Sequence, residues 1–410
     1  MKMFTLLRTS LLSLLFSFSA WAQTSIPAQF SHVDKLVRGT LSMPSFGGPH
    51  PAVIIVPGSG ANDRDGTLQL VGGYAPCLYP NLVGATLKPY RDLADALVAA
   101  GYAVLRYDKL EFTYATNLGV ISFDKLWFPA RSGIDWLKTR SDIDTNRIVL
   151  IGHSEGSALI PLIAAQRPGV KALVSLAGAV SPFDSLLATQ LVEFATLCGG
   201  NVAQAQTEAD QVLAYFNALR AGPPPVTTPG LFGVPAGVWY DYVRDMDSVI
   251  TRYNQTNKPS LFVALGLDVN TPPSELARFQ GGITLPNAGF YLLDSINHFL
   301  SYNHTAGFVQ PIADTIVHWL QQQGLAASMR PDWETTNTFT FYPNPAKQQI
   351  QLLCESCTPS AILALYDIQG RKIQQWQALE PAQTIGLPEL QSGIYLLRLN
   401  NGPAKRLLIE

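Results

Sequence analysis

The sequence is short of cysteine, of charged side chains and of long apolar runs, and each shortage excludes a class of protein. Four cysteines in 410 residues are too few for a small disulfide scaffold. Lys and Arg number 28 against 30 Asp and Glu, a net charge of −2 that offers no positive field to nucleic acid. After the N-terminus, no segment nears the roughly 18 apolar residues that cross a membrane, so we expect no transmembrane anchor.

The remaining composition is that of a folded protein. Hydrophobic residues make up 47% of the chain and charged residues 14%. This composition excludes a largely disordered protein. The length exceeds the roughly 100–200 residues of a typical domain, so we expect one large domain or two unequal ones.

The first 22 residues have the three parts of a secretory signal peptide. Lys2 and Arg8 give a basic start, residues 11–20 are apolar but too few to span a bilayer, and Ala20-Trp21-Ala22 is a small-x-small cleavage site. A buried N-terminal helix is the alternative. We therefore expect a mature chain that begins near Gln23 in an oxidising compartment.

In such a compartment the four cysteines can pair. The sequence leaves open whether Cys77 pairs with Cys198. Cys354 and Cys357 have a spacing found in zinc sites, but no second pair or neighbouring histidine completes four ligands. A local disulfide, or two free thiols, is favoured for this pair.

Residues from about 30 to 323 alternate short apolar runs with amphipathic helical patterns. The runs are almost continuously apolar, as expected of parallel strands that are covered on both faces. This alternation predicts an α/β fold with a doubly wound, mostly parallel sheet. The predicted strands are 52–56, 103–107, 147–151, 172–176, 260–265 and 290–293, and the predicted helices are 90–100, 130–138, 154–166 and 312–322.

The alternation stops between residues 181 and 256, where helical stretches at 186–196 and 203–220 precede a proline-rich loop. An insertion of this length without a clear strand predicts a helical cap over the sheet edge.

Residues 326–338 are a polar linker, and 339–410 have the alternation and turn signals of a small β-sandwich. The predicted organisation is a signal peptide (1–22), a catalytic domain (23–325), the linker and the β domain.

The strongest motif is Gly152-His153-Ser154-Glu155-Gly156, between a predicted strand and a predicted helix. In that context Gly-x-Ser-x-Gly forms a tight turn that exposes the serine Oγ at the carboxyl edge of the sheet, beside a helix N-terminus. An ordinary glycine-rich turn is the alternative. Ser154 is therefore the candidate nucleophile.

A serine hydroxyl needs a base to take its proton and an acid to orient that base. On a sheet of this kind the chain order is serine, acid, histidine. Asp268 follows the predicted strand 260–265 and His298 follows the last strand, so both reach the same sheet edge. His304 is a rival base, and Asp294 and Asp247 are weaker rival acids.

A glycine-rich loop, Pro57-Gly58-Ser59-Gly60, follows the first predicted parallel strand. We expect the backbone N–H groups of Ser59 and Glu155 to form an oxyanion hole, in which losing one donor typically costs about 10²–10³ in rate. The loop lacks the features of a phosphate or dinucleotide loop, and we expect no metal or organic cofactor. Nearby, residues 63–65 are predicted to form a charged brace with residues 107–109.

Residues from about 33 to 323 resemble bacterial α/β-hydrolases of the esterase kind. The resemblance implies nucleophile Ser154, acid Asp268 and base His298, with dienelactone hydrolases, acyl-CoA thioesterases and prolyl-oligopeptidase-like peptidases among the relatives. The family often has Arg-Gly after its Tyr-Asp-Lys run, whereas this chain has Leu110-Glu111-Phe112, which alters the entrance beside the oxyanion loop. The motifs that carry the resemblance are Gly58-Ser59-Gly60-x-Asn62-Asp63-Arg64-Asp65, Arg106-Tyr107-Asp108-Lys109, the Ser154 pentapeptide, Gly266-x-Asp268-x-x-x-Pro272 and Asn297-His298.

Three motifs lie in order near the chain end: Phe341-Tyr342-Pro343-Asn344-Pro345, Leu365-Tyr366-Asp367 with Gly370-Arg371-Lys372, and Leu390 with Gly393-Ile394-Tyr395. In these motifs residues 339–410 are similar to the type IX secretion C-terminal sorting domain. The similarity implies export by outer-membrane secretion machinery after passage through the periplasm, after which the tail is usually removed and the enzyme is released or attached to the cell surface. A carbohydrate-binding sandwich is the alternative, but it would need a face of exposed aromatic side chains, and only Trp376 is available.

Together these features predict a secreted serine hydrolase that cleaves small-molecule carboxylic esters through an acyl-serine intermediate. Residues 181–256 carry three arginines against seven acidic residues, which disfavours an anionic acyl-CoA thioester. A peptidase of the related kind usually has a large N-terminal propeller, for which the residues before the first strand are too few. A catalytically silent surface-binding protein is the alternative from another class, and the intact triad counts against it. The cap is expected to form an apolar acyl pocket with Leu186, Leu187, Phe194, Tyr215, Phe216, Phe232, Trp239 and Tyr240.

Overall fold

The computed structural model describes residues 23–32, 34–45, 47–114, 122–308, 310–327, 339–354, 361–367, 371–377, 379–380, 382–399 and 404–410. The predicted signal peptide, most of the predicted linker and Cys357 lie outside these ranges.

The part of the chain before the linker alternates strands and helices. Its strands are β1 (Gln23–His32), β2 (Lys35–Pro44), β3 (His50–Val56), β4 (Leu68–Gln69), β5 (Thr86–Leu87), β6 (Ala103–Tyr107), β7 (Ile143–His153), β8 (Val170–Leu176), β9 (Ser260–Leu265) and β10 (Ala288–Leu293). Its helices are α1 (Ala75–Leu78), α2 (Pro89–Ala99), α3 (Leu110–Thr113), α4 (Phe128–Leu137), α5 (Glu155–Gln166), α6 (Phe183–Leu197), α7 (Val202–Arg220), α8 (Ala236–Met246), α9 (Val249–Thr256), α10 (Glu275–Gly282) and α11 (Gln310–Gln322).

The main sheet has the strand order β1-β2-β6-β3-β7-β8-β9-β10. Neighbouring strands from β6 to β10 run parallel, whereas β1 pairs with β2, and β2 with β6, in the antiparallel sense. A parallel sheet in this order, with an antiparallel hairpin at one edge, is the α/β-hydrolase fold. The predicted fold class is therefore confirmed, and the hairpin β1–β2 adds two strands that were not predicted.

Alternate side chains of the central strands pack on opposite faces of this sheet. In β3, Ala52, Ile54 and Val56 belong to the core that contains α4 and α5, whereas Val53 and Ile55 belong to the core that contains α2 and α11. All five side chains are buried. Helices on both faces explain why residues 52–56 of this strand are all apolar.

The predicted insertion at residues 181–256 is helical and consists of α6 to α9. The prediction covers α6 and α7, and α8 and α9 follow the proline-rich loop. The cap packs on its own aromatic residues, with Phe183 stacked on Trp239 at 5.4 Å between ring centroids. A disulfide between Cys77 and Cys198 joins α1 to the end of α6, so the cap is covalently tied to the body of the domain.

The C-terminal strands form two antiparallel sheets. Their core includes Ile350 and Leu352 from one sheet and Leu363 and Leu397 from the other, which agrees with the predicted all-β character. Cys354 is also disulfide-bonded. The strands are β11 (Thr340–Tyr342), β12 (Gln349–Leu353), β13 (Leu363–Tyr366), β14 (Lys372–Trp376), β15 (Ala382–Gly386), β16 (Gly393–Leu399) and β17 (Ala404–Ile409), in the orders β11-β12-β15 and β14-β13-β16-β17.

No helix among the described residues is long and apolar enough to cross a membrane.

Candidate active site

Ser154 lies between β7 and α5, on the turn that its motif predicts. Its φ of 53° and ψ of −121° are unusual for a residue with a side chain. A Cβ on Gly152 would overlap the backbone of Gly156, and a Cβ on Gly156 would overlap the carbonyl group of Val56. Glycine is therefore required at both positions because β7, α5 and the end of β3 approach so closely.

Asp268 and His298 lie in direct contact at the carboxyl edge of the sheet. His298 Nδ1 is 2.7 Å from Asp268 Oδ2, and both side chains are buried. Asp268 Oδ1 accepts hydrogen bonds from the backbone N–H groups of Asn270 (2.8 Å) and Thr271 (2.7 Å). With both oxygens engaged, the carboxylate can hold the Nδ1–H of the ring and leave Nε2 for chemistry.

His153 supports the loop that carries His298. Its Nε2 donates to the carbonyl oxygen of His298 (2.9 Å), and its Nδ1 accepts from the hydroxyl of Tyr90 (3.0 Å). The same hydroxyl accepts from the N–H of Gly58 (3.0 Å). Burial lowers the pKa of His153 to about 3, so the ring is neutral at physiological pH. This chain of contacts connects the oxyanion loop to the loop of His298.

The backbone N–H groups of Ser59 and Glu155 have no hydrogen-bond acceptor among the described residues. The Gly58 carbonyl, which belongs to the same peptide as the Ser59 N–H, accepts from Lys109 Nζ and from Asn62 Nδ2, each at 3.0 Å. The C=O and N–H of a trans peptide point in opposite directions. These two contacts therefore fix the direction of the Ser59 N–H.

The side chain of Glu155 connects this turn to the cap. Its Oε2 lies 3.4 Å from Lys109 Nζ, and its Oε1 accepts from the hydroxyl of Tyr242 (3.2 Å) on α8. Burial, together with the nearby charge of Glu155, raises the pKa of Tyr242 well above its ordinary value. Tyr242 is therefore a neutral donor, and the cap contacts the nucleophile turn directly.

Ser154 and His298 line one cavity of about 140 Å³, which we call the serine cavity. It lies between the end of the sheet and the cap. Ser59 and Glu155 also line it, so the predicted nucleophile, base and oxyanion residues face a common space. Other lining residues include Gln190, Met246, Asn270 and Thr271. Of the eight cap residues expected to form an acyl pocket, Leu186 and Leu187 line this cavity and Trp239 lines a neighbouring one. The other five are not among the described residues that line either cavity: Phe194, Tyr215, Phe216, Phe232 and Tyr240.

The rival residues have other surroundings. Asp247 is ion-paired with Arg220 at 2.6 Å, and His304 is exposed and stacked on Tyr302. Asp294 makes no hydrogen bond to a histidine among the described residues. Within the same ranges, no group of three or more His, Cys, Asp or Glu is placed to hold a metal ion.

The predicted charged brace is confirmed. Arg64 Nη2 lies 2.6 Å from Asp108 Oδ2, and Arg106 contacts Asp65. The supporting contacts of Lys109 and Tyr242 were not predicted from the sequence. The Tyr-Asp-Lys run was a signal for Lys109, whereas Tyr242 had no motif that could have identified it.

Comparisons with known proteins agree with this architecture. Residues 340–410 match the family described as the Secretion system C-terminal sorting domain. Esterase EstD of Thermotoga maritima is 27% identical over 283 residues, which cover 67% of this chain and 61% of that protein. This chain is similar to a bacterial esterase. It spans less than two thirds of the length of that relative.

Similar solved structures include two esterases of low sequence identity. The esterase domain of a Rhodothermus marinus protein has 17% identity and a TM-score of 0.44, over 73% of this chain and 98% of that one. Est1E of Butyrivibrio proteoclasticus has 15% identity and a TM-score of 0.47, over 72% of this chain and 98% of that one.

Proposed function

We propose that this protein is a secreted serine hydrolase that cleaves carboxylic esters of small molecules through an acyl-serine intermediate. The observation that carries the proposal is the contact of His298 Nδ1 with Asp268 Oδ2, 2.7 Å, beside a cavity that Ser154 also lines. The strained turn at Ser154 and the similarity to Esterase EstD support it.

In the proposed mechanism, His298 Nε2 takes the proton of Ser154 Oγ as that oxygen attacks the ester carbonyl carbon. Asp268 holds the ring and stabilises the imidazolium that forms. The N–H groups of Ser59 and Glu155 bind the negative carbonyl oxygen. The imidazolium then protonates the alcohol oxygen, the C–O bond breaks, and water repeats the steps on the acyl-serine to release the acid.

The charges of the cap favour uncharged esters over acyl-CoA thioesters. Residues 181–256, all of which are described, contain no lysine, and their three arginines are ion-paired with aspartates of the same region. The cap therefore has no unpaired cation that could receive the phosphates of coenzyme A. An uncharged ester does not need such a cation in order to bind.

The test is hydrolysis of a panel of p-nitrophenyl esters by purified variants. Ser154→Ala should lower kcat by several orders of magnitude, since losses of about 10⁶ are seen when a triad member is removed. His298→Ala should be similarly impaired, whereas the exposed rival variant His304→Ala and the exposed control Ser45→Ala should keep wild-type turnover. A Ser154→Ala enzyme that retains more than a tenth of the activity would contradict the proposal.

We further propose that residues 339–410 direct export. A chain that lacks them should accumulate in the periplasm with ester hydrolysis intact, because none of the described residues of this segment lines the serine cavity. Cell fractionation and mass spectrometry of the native product measure this. A secreted species that begins near Gln23 and still ends at Glu410 would count against removal of the tail.

A further inference from the structure

Two cavities meet at the proposed oxyanion hole, and we propose that each binds one half of the ester substrate. The serine cavity binds an alcohol that carries hydroxyl groups, and a second cavity beneath the cap binds a bulky, apolar acyl group. This inference rests on the proposed serine hydrolase function and specifies its substrate class.

The second cavity, which we call the cap cavity, has a volume of about 220 Å³. Ser59, Glu155, Phe183 and Tyr242 line both cavities. Ser154 and His298 are among the lining residues of the serine cavity and not among the described residues that line the cap cavity. The two cavities therefore adjoin at Ser59 and Glu155, and of the two it is the serine cavity that contains the proposed nucleophile and base.

The direction of proton transfer assigns the two halves of the ester. His298 must give its proton to the oxygen of the leaving alcohol, so the alcohol lies beside His298. That places the alcohol in the serine cavity. The acyl group leaves the carbonyl carbon in a different direction from both the alcohol oxygen and the carbonyl oxygen that Ser59 and Glu155 bind. We assign it to the cap cavity, the second space that Ser59 and Glu155 line.

The walls of the cap cavity suit an uncharged, apolar group. Among its lining residues, Lys109 is already bonded to the Gly58 carbonyl and to Glu155. The carboxyl oxygens of Glu111 are buried from solvent, and burial raises the pKa of this group, which favours its uncharged form. The remaining surface is mainly apolar, from Leu126, Phe183, Val234, Val238 and Trp239. An aromatic or branched acyl group fits this lining, and a carboxylate does not.

The serine cavity, by contrast, is lined by His298 and by residues with unused polar groups. The side-chain NH₂ of Asn270, the side-chain carbonyl of Gln190 and the hydroxyl of Thr271 have no hydrogen-bond partner among the described residues. Other contacts hold these residues in place: the N–H groups of Asn270 and Thr271 donate to Asp268, and Gln190 Nε2 donates to the Asn270 carbonyl. The Asn270 NH₂ and the Thr271 hydroxyl can donate hydrogen bonds, and the Gln190 carbonyl can accept one. Because these residues are held in place, the three groups can bind the hydroxyl groups of an alcohol such as glycerol or a sugar.

The experiment compares four esters that combine an acetyl or a benzoyl group with 1-propanol or glycerol. For the wild type we expect kcat/KM to be at least about tenfold higher for benzoyl esters than for acetyl esters of the same alcohol. We expect a similar preference for glyceryl esters over propyl esters of the same acid, since pockets discriminate such groups on this scale.

Val238→Trp, which fills the cap cavity, should lower the benzoyl/acetyl ratio about tenfold. Asn270→Leu, and independently Thr271→Val, should lower the glyceryl/propyl ratio. Val226→Trp, at a fully exposed position, is the matched control and should change neither ratio.

The orientation is overturned if Val238→Trp changes the glyceryl/propyl ratio while Asn270→Leu changes the benzoyl/acetyl ratio. It is also overturned if the wild type shows neither preference although it hydrolyses p-nitrophenyl acetate and a fluorophosphonate labels Ser154. If there is neither hydrolysis nor labelling, the proposed function itself fails, and the substrate assignment fails with it.

Discussion

Lys109 is a buried cation whose ammonium group contacts the Gly58 carbonyl oxygen and the Glu155 carboxylate. The first contact lies on the opposite side of the peptide whose N–H is proposed to bind the oxyanion. A positive charge there orients the peptide dipole toward the developing negative charge before the reaction begins. Lys109 is therefore a positioning residue, since it acts through the Ser59 N–H.

Replacing Lys109 by Met should lower kcat for ester hydrolysis by about tenfold to a hundredfold, somewhat less than the loss of a direct oxyanion donor. KM should change little, because the contact is used mainly when the oxyanion forms. A trifluoromethyl ketone that forms a tetrahedral adduct with Ser154 should bind more weakly by a similar factor.

Lys171→Met is the matched control, since Lys171 is an exposed residue of β8, and it should leave both quantities at wild-type values. If Lys109→Met reduced kcat while the ketone bound as tightly as before, the contact would have only a structural role.

The positions proposed for the nucleophile, acid and base could be assigned to one sheet edge from the sequence, because Ser154, Asp268 and His298 each follow the carboxyl end of a parallel strand within five residues and such strands are marked by apolar runs. The contact between Tyr242 and Glu155 could not be located in this way. It joins residues that are 87 positions apart, and its formation depends on how the cap folds over the sheet.

At the scale of secondary structure elements, the buried strands were predictable and the edge hairpin was not. The predicted strands 103–107 and 260–265 coincide with β6 and β9, in which every residue except Arg106 and Ser260 is apolar. β1 is polar and contains Pro27, which is tolerated because β1 is an edge strand. The polar composition of β1 therefore concealed it.

The disulfide between Cys77 and Cys198 should hold the cap in place over the serine cavity. The bond joins residues 121 positions apart, so it restricts the unfolded chain strongly. The double variant Cys77→Ser/Cys198→Ser should lose about 2–4 kcal/mol of stability. Thermal inactivation of ester hydrolysis measures the loss.

Cys354→Ser provides a matched control, because Cys354 lies in the core of the C-terminal strands. It should not lower the inactivation temperature of ester hydrolysis. Equal effects of the two substitutions would contradict a specific role of the Cys77–Cys198 bond at the cap.

For the whole molecule, buried histidines make stability depend on pH. Burial lowers the pKa values of His32, His50 and His153, the last to about 3. Below about pH 6.5 the unfolded chain binds protons that the folded protein does not, so the free energy of unfolding falls as pH is lowered. For His153 alone the slope is about 1.4 kcal/mol per pH unit between its unfolded and folded pKa values.

Urea unfolding at pH 7.5, 5.5 and 4.5 measures this slope. His153→Gln is expected to be less stable than the wild type at pH 7.5. Its free energy of unfolding should fall less steeply as pH is lowered, because unfolding of the variant takes up about one proton fewer. His304→Gln, at an exposed position, should keep the wild-type slope. If the two variants showed the same slope, the proton taken up on unfolding would not be bound by His153.

The proposal that Ser154 is the nucleophile is tested most directly by identifying the residue that a fluorophosphonate modifies in the native protein. Mass spectrometry of the digested product should find one modified residue, Ser154, and the reaction should be slowed by orders of magnitude in His298→Ala, because the serine then lacks its base. Modification of another serine, or unimpaired labelling of Ser154 in His298→Ala, would contradict a serine hydrolase built on Ser154, Asp268 and His298.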